Sequence, residues 1–154
     1  MPNAPYLIIT ALPEERDAVE ACLPGLRRLG GDETRGGRIY YETFLDLRRR
    51  RRVIVTVIGE PGRVSAATAA ASAIDEWNPE VVLLVGIAGG LADQGVLLGD
   101  VLVATQILDY EHQKVREGST EVRPQSWPAD PMLRRVASDR GNRRVAQFNC
   151  GDEA

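Results

Sequence analysis

The apolar residues of this chain fall into short runs broken by glycine, proline and charge, with stretches of helical spacing between them. Tyr6-Leu7-Ile8-Ile9-Thr10 follows Pro5 and has the uninterrupted apolar character of a strand buried on both faces. Pro13, then Glu14, Glu15, Asp17 and Glu20, with Ala18, Val19, Cys22 and Leu23 at helical spacing, predict a helix that Pro24-Gly25 stops. A glycine-rich connection through Gly30-Gly31 and Gly36-Gly37 leads to a second strand, Ile39 to Leu45. A third, Val53 to Ile58, makes a hairpin with it whose tip is Arg48 to Arg52. The alanine-rich segment Ser65 to Trp77, ending near Asn78-Pro79, predicts a helix of high intrinsic propensity and little bulk, suited to lie close against a sheet. Val81 to Val85 is the most strand-like run and is expected at the centre of the sheet, followed by the glycine turn Gly86-Ile87-Ala88-Gly89-Gly90. Val101 to Leu108 predicts a fifth strand, and Pro131 to Ser138 one short helix. Strands alternating with helices give an α/β fold, and the hairpin makes its sheet mixed.

Composition narrows the function classes. At 154 residues, 44% hydrophobic and 27% charged, the chain is long enough for one compact core without staples. Cys22 and Cys150 lie far apart with no ligand spacing, and His112 is the single histidine, which argues against a structural zinc site and a Cys/His nucleophilic pair. A net charge of −3, with Lys114 the only lysine, does not describe a general nucleic-acid binder. No apolar run reaches the roughly 18 residues that span a bilayer, and no basic segment precedes an apolar one at the N-terminus. The expectation is a cytoplasmic chain with reduced thiols and with no metal, membrane or nucleic-acid partner.

Several features carry two readings. The five arginines Arg48 to Arg52 can neutralise phosphates, but no aromatic residue interleaves with them, so a solvated turn is the better reading. Gly59-Glu60-Pro61-Gly62-Arg63 joins a strand to a helix, an arrangement that offers backbone N–H groups, a helix dipole and the Arg63 charge to an anion. It matches neither the GxxxxGK[ST] phosphate loop nor the GxGxxG dinucleotide fingerprint, and a plain tight turn would use the same glycines. Asp109, Glu111 and His112 read as a surface cluster rather than a metal site, Asp130 and Asp139 as helix caps, and Tyr110 and Trp127 as packing residues before base-stacking ones.

Four segments together carry a resemblance. Ile8 to Glu15, Gly59 to Arg63, Val85 to Leu91 and Leu98 to Ala104 resemble, in order and spacing, the nucleoside phosphorylase superfamily. Among its members the chain looks most like the 5'-methylthioadenosine/S-adenosylhomocysteine nucleosidases, particularly divergent forms found in multidomain bacterial and fungal proteins. The match runs from about Tyr6 to Lys114. It implies a three-layer sandwich with a mixed central sheet over residues 1–124, with residues 125–154 as a short helix and tail. It also implies cleavage of a purine nucleoside N-glycosidic bond by water, or by phosphate as co-substrate, through a ribosyl cation-like transition state. No other cofactor is implied.

By this resemblance Glu15 falls on the carboxylate that orients the attacking water or contacts the ribose. Gly59, Gly62 and Arg63 match the turn near the phosphate or water end, and Ile87, Ala88, Gly89 and Gly90 the turn that lines ribose and base. Chemically, a carboxylate can accept a proton from water and stabilise positive charge on the sugar. Read without the resemblance, Glu14 and Glu15 are carboxylates favoured at a helix N-terminus by its dipole. Two departures matter. Ile87 stands where the family often has a hydroxyl residue, and isoleucine donates no side-chain hydrogen bond, which favours hydrolysis over phosphorolysis. The family's methionine-glutamate pair for the ribose hydroxyls and its leaving-group aspartate belong to a C-terminal half that has no counterpart here, so the fold is expected to be truncated and turnover impaired. A homodimer or covering partner domain would shield the edges so exposed. The alternative is a non-catalytic nucleoside-binding or oligomerisation module.

Overall fold

The computed structural model describes residues 5–23, 25–30, 38–45, 51–60, 62–90, 93, 95–109, 113–116, 119–122 and 124–139. They divide into two units, Met1–Ile87 and Ala88–Ala154. The first contains β1 (Tyr6–Thr10), α1 (Pro13–Cys22), β2 (Arg27–Arg28), β3 (Tyr40–Leu45), β4 (Arg51–Val57), α2 (Arg63–Trp77) and β5 (Val81–Leu84). These strands form one sheet in the order β2-β3-β4-β1-β5. β1 runs parallel to β4 and β5, whereas β3 runs antiparallel to β2 and β4, so the sheet is mixed as the hairpin predicts.

The alternation of side chains along each strand sorts the core into two layers. Leu7, Ile9, Tyr40 and Ile54 face α2 and pack with Ala70, Ala73 and Trp77. On the opposite face Tyr6, Ile8, Val53 and Val55 pack with Val19 of α1 and with Leu23 just after it. This is the three-layer sandwich, with β1 and β4 buried on both faces as their unbroken apolar runs require. Ala69 and Ala73 are fully buried, so the small residues of α2 are the ones set against the sheet. Asn78 ends that helix in the left-handed conformation, φ 44°, a position asparagine tolerates better than most residues.

β5 is placed differently from the expectation. It lies at the edge of the five-stranded sheet rather than its centre, and Leu84 is 71% exposed. The cause is the path of the chain. After β4 it crosses through α2 to the far side of β1, and among the described residues no further strand joins that edge. An uninterrupted apolar run reports the intended burial of a strand without reporting what covers it.

The arginine run also departs from the solvated-turn reading. Arg51 and Arg52 belong to β4, in register with Leu45 and Phe44, while Arg48 to Arg50 lie outside the described residues. Arg51 pairs with Glu80 at 3.0 Å and stacks on Tyr6. Arg52 pairs with Glu42, whose carboxylate is buried and also takes Arg27 at 2.5 Å. A buried carboxylate between strands needs cationic partners, and the start of β4 and the short β2 supply them.

Beside this cluster the Arg52 guanidinium lies 4.8 Å from the Trp77 ring centre, and Trp77 meets Tyr40 edge to face at 5.4 Å. Burial, reinforced by the Glu76 carboxylate, pushes the Tyr40 phenol up to about 12. A raised phenol favours the folded state fully below its unfolded value, near 10, and that contribution disappears as pH rises through about 12. Tyr40→Phe should therefore flatten the loss of stability between those values, measured as urea midpoints at a series of alkaline pH values. An identical alkaline slope in both proteins would refute the assignment to Tyr40.

The second unit contains β6 (Gln106–Asp109), β7 (Gln113–Arg116), β8 (Ser119–Val122), β9 (Gln125–Pro128) and α3 (Pro131–Asp139). β6 pairs antiparallel with β9, and β7 with β8. The predicted fifth strand is thus shortened to its last residues, because a strand needs a ladder partner and only Gln106 to Asp109 find one, in Gln125 to Pro128. α3 matches the predicted short helix, and Asp130 caps it by accepting the N–H groups of Met132 at 2.8 Å and Leu133 at 3.1 Å. Trp127 pairs across from Ile107 and is half-exposed, so it is not a core residue of this unit. Tyr110, Glu111 and His112 lie outside the described residues.

Candidate active site

β1, β4 and β5 end at the same edge of the sheet because they are parallel. β1 continues into α1 on one face and the adjacent β4 into α2 on the other. Connections that leave neighbouring strands toward opposite faces open a crevice at their carboxyl ends, the usual ligand position in open α/β sheets. The turns at this edge are tied together through the backbone. Ile58 N–H donates to Thr10 O at 2.8 Å, Gly59 N–H to Ala11 O at 3.0 Å and Val85 N–H to Ile9 O at 3.0 Å.

Glu15 occupies this edge. It is the third residue of α1, where a side chain can turn back toward the strand that precedes the helix. Its Oε2 accepts the backbone N–H of Ala11 at 2.8 Å and of Leu12 at 3.0 Å, while Oε1 accepts the N–H of Ile87 at 2.8 Å. Leu12 precedes the helix and has no side-chain oxygen, so Glu15 supplies the glutamate half of a capping box by itself. Glu15 is only 8% exposed. The hydrogen bond from Ile87 does most to hold its carboxyl below the ordinary glutamate value, against the opposing effect of burial, with the bonds from Leu12 and Ala11 adding to it. The carboxylate is therefore charged at neutral pH. It has about four acceptor positions; among the described residues the three bonds above leave one, on Oε1.

The residues singled out by sequence are brought together unevenly. Ile87 reaches Glu15 through its backbone N–H, so a hydroxyl at that position is not needed to hold the carboxylate, and its side chain is 80% exposed. Gly59 lies in the turn bonded to Ala11, with φ +91°, and Gly62 starts α2 with φ +147°, two conformations that require glycine. Arg63 is the first residue of α2. Ala88, Gly89 and Gly90 belong to the second unit. There a β-carbon on Gly90 would stand 2.6 Å from Val96 Cγ1, which gives that glycine a packing reason, whereas Gly89 has no atom within 4 Å of the equivalent point.

Gly86 is the site residue that sequence reasoning missed. A β-carbon built on it would lie 2.6 Å from Glu15 Oε1, 2.9 Å from Cδ and 3.1 Å from Oε2. The available signal was a glycine set directly after the apolar run Val81 to Val85. The three N–H donors to Glu15 carry no side-chain signature and are visible only in the fold. A cavity of about 410 Å3 adjoins this group on the α1 side of the sheet. Ile8, Ala18, Val19, Leu23 and Val85 make its wall apolar, and among the described residues Glu15 is its one carboxylate. Among the described residues no cluster of three metal-ligating side chains forms, and no helix is long and apolar enough to cross a membrane.

Comparison with known proteins bears on the family and the fold. A 5'-methylthioadenosine/S-adenosylhomocysteine nucleosidase of Staphylococcus epidermidis is 32% identical over 87 residues, covering 54% of this chain and 37% of the relative. An ATP nucleosidase, Cap17, of Escherichia coli is 32% identical over 65 residues, covering 42% of this chain and 13% of the relative. The chain thus spans well under half the length of these curated relatives. The solved structure of the Neisseria meningitidis 5'-methylthioadenosine/S-adenosylhomocysteine nucleosidase, in complex with methylthio-immucillin-A, superposes with a TM-score of 0.67 at 23% identity, over 92% of this chain and 61% of that one. The same mixed α/β sheet underlies both. The profile of the phosphorylase superfamily matches residues 5–151, nearly the whole sequence, and the chain belongs to that superfamily.

Proposed function

We propose that this chain contributes to cleavage of a purine nucleoside N-glycosidic bond, with water as the nucleophile and Glu15 as the group that orients it. The observation that carries this reading is the buried Glu15 carboxylate, fixed by three backbone N–H groups with one acceptor position left on Oε1 among the described residues. As the bond to the base breaks, positive charge develops on the sugar. A fixed anion in a partly dehydrated site stabilises that charge and needs no rearrangement to do so. The free Oε1 position can accept a hydrogen bond from water or from a ribose hydroxyl. Its lowered proton affinity suits Glu15 to orientation and charge stabilisation more than to early proton abstraction.

The functions of the relatives support the class, since both curated proteins named above are nucleosidases. The adjoining cavity falls within the roughly 300 to 1,000 Å3 range of small-molecule sites. Gly59, Gly62 and Arg63 are proposed to border the nucleophile, and Ile87 the ribose and base. Ile87 supplies no side-chain donor for phosphate, so hydrolysis is preferred to phosphorolysis. A purine leaves readily only when protonated or otherwise stabilised. The exposed apolar edge at β5 supports a covering partner, either a second copy or a further domain. A cytoplasmic location belongs to the same reading.

The test is chromatography of free base after incubating the folded chain with 5'-methylthioadenosine, S-adenosylhomocysteine, adenosine, inosine and ATP, each with and without phosphate. Base release independent of phosphate is expected. Release only with phosphate would replace hydrolysis by phosphorolysis. Nucleoside binding by calorimetry without release would favour the non-catalytic module, the second reading.

A further inference from the structure

The end of β5 and the third residue of α1 are held closer than two ordinary side-chain-bearing positions allow. The three atoms nearest to a β-carbon on Gly86 all belong to the Glu15 carboxylate. Real β-carbons essentially never approach other heavy atoms within 3.0 Å, and two of these three distances, 2.6 Å and 2.9 Å, lie below that. The backbone of Gly86 is not in the left-handed region, so the chain conformation itself admits alanine there. The glycine is required by the carboxylate and not by the turn.

We propose that Gly86 is the positioning residue for Glu15: its missing side chain leaves the space in which Oε1 reaches the Ile87 N–H and keeps one acceptor position toward the substrate. The functional part of this inference rests on the reading of Glu15 given above, whereas its geometric part does not. A methyl group at position 86 meets the far end of a flexible side chain and not backbone, so the structure yields by moving the carboxylate. Oε1 then leaves the Ile87 N–H, and the strongest of the influences that keep Glu15 ionised is lost. The neighbouring bonds from Ala11 and Leu12 go to the other oxygen and anchor the side chain near its helix. Gly86→Ala is therefore expected to displace the charge while α1 and the sheet stay formed.

The experiment uses the full 154-residue chain, labelled with 13C at glutamate side-chain carboxyls, with the Glu15 signal assigned by its absence in Glu15→Asp. In Gly86→Ala the Glu15 midpoint should rise by about one pH unit or more, and the Ile87 amide should lose its pH-dependent shift. Base release, where the wild-type chain shows it, should fall about 10-fold or more in kcat with KM nearly unchanged. Aspartate is one methylene shorter and withdraws from the added methyl group, so Gly86→Ala should lose much less activity in a Glu15→Asp background than in the wild type. A folded Gly86→Ala chain with an unmoved Glu15 midpoint would overturn the proposal, as would equal losses in the two backgrounds. If Gly86→Ala alone does not fold, the double variant decides: a folded one supports the proposal and an unfolded one overturns it. A shifted midpoint in a chain whose wild type releases no base would uphold the positioning and reject the glycosidic reading.

Discussion

Replacing Glu15 by glutamine is expected to reduce base release by about 10²- to 10⁴-fold, the range by which a positioned proton-transfer or water-orienting group accelerates such reactions. Glutamine keeps the length of the side chain and loses its charge. It also turns an amide NH2 toward backbone N–H groups that now bond a carboxylate oxygen, so at least one buried contact becomes donor against donor. A stability loss of roughly 1–3 kcal/mol should accompany the kinetic effect. The two are separated by assaying well below the melting transition and verifying the fold by circular dichroism. Full activity in a folded Glu15→Gln chain would remove Glu15 from the reaction.

The same carboxylate sets a limit at acid pH. Its proton affinity is lower in the folded chain than in the unfolded one, so its contribution to stability is complete above the unfolded glutamate value, about 4.3, and is lost as pH falls through the lower folded value. Glu15→Gln should remove that part of the acid sensitivity. Urea midpoints of the two proteins should consequently converge as pH falls below about 4.3.

The largest effect on stability is expected from Ile54→Ala. Ile54 lies in β4, fully buried, and packs in the layer with Leu7, Ile9, Tyr40 and Ala73 beneath α2. Removing its branched side chain loses burial and leaves a space that neighbours on a rigid sheet fill only in part, a loss of roughly 2–5 kcal/mol. That is a large share of the approximately 5–15 kcal/mol available to an ordinary domain. Leu84→Ala makes the comparison. Leu84 belongs to the equally apolar β5 but is 71% exposed at the sheet edge, so its replacement should change stability by no more than about 0.5 kcal/mol in the chain alone. Denaturant midpoints of both variants test this directly. A loss at Leu84 as large as that at Ile54 would mean that the β5 edge is covered in solution.

Much of the first unit is legible in the sequence because its signals are local. The five-residue run of β1, the proline start and spaced apolar face of α1, the β-branched run of β4 and the alanines of α2 each specify an element without reference to distant residues. The four motifs in register specify the superfamily. What failed were statements about partners. The apolar runs at Val81 and Val101 predict strands, yet position in a sheet depends on which other segment is available for pairing, and burial depends on what lies above it. The arginines at positions 51 and 52 read as turn residues because their carboxylate partners are distant in sequence: Glu80, just before β5, for Arg51, and Glu42, ten residues and one antiparallel strand away, for Arg52.

The sequence by itself determined β1, α1, β3, β4, α2, β5 and α3 as elements, the α/β class and the presence of a carboxylate just after the first strand, while the pairing that makes β2, β7, β8 and β9 strands was not legible in it. Only the tertiary structure decided what that carboxylate is. Three N–H groups, two from the β1 to α1 turn and one from the turn that follows β5, converge on Glu15, and Gly86 leaves room for them to be joined. Backbone donors are the same in every residue but proline, so their convergence leaves no trace in residue identity; it exists only when parallel strands bring residues 11, 12 and 87 to one edge.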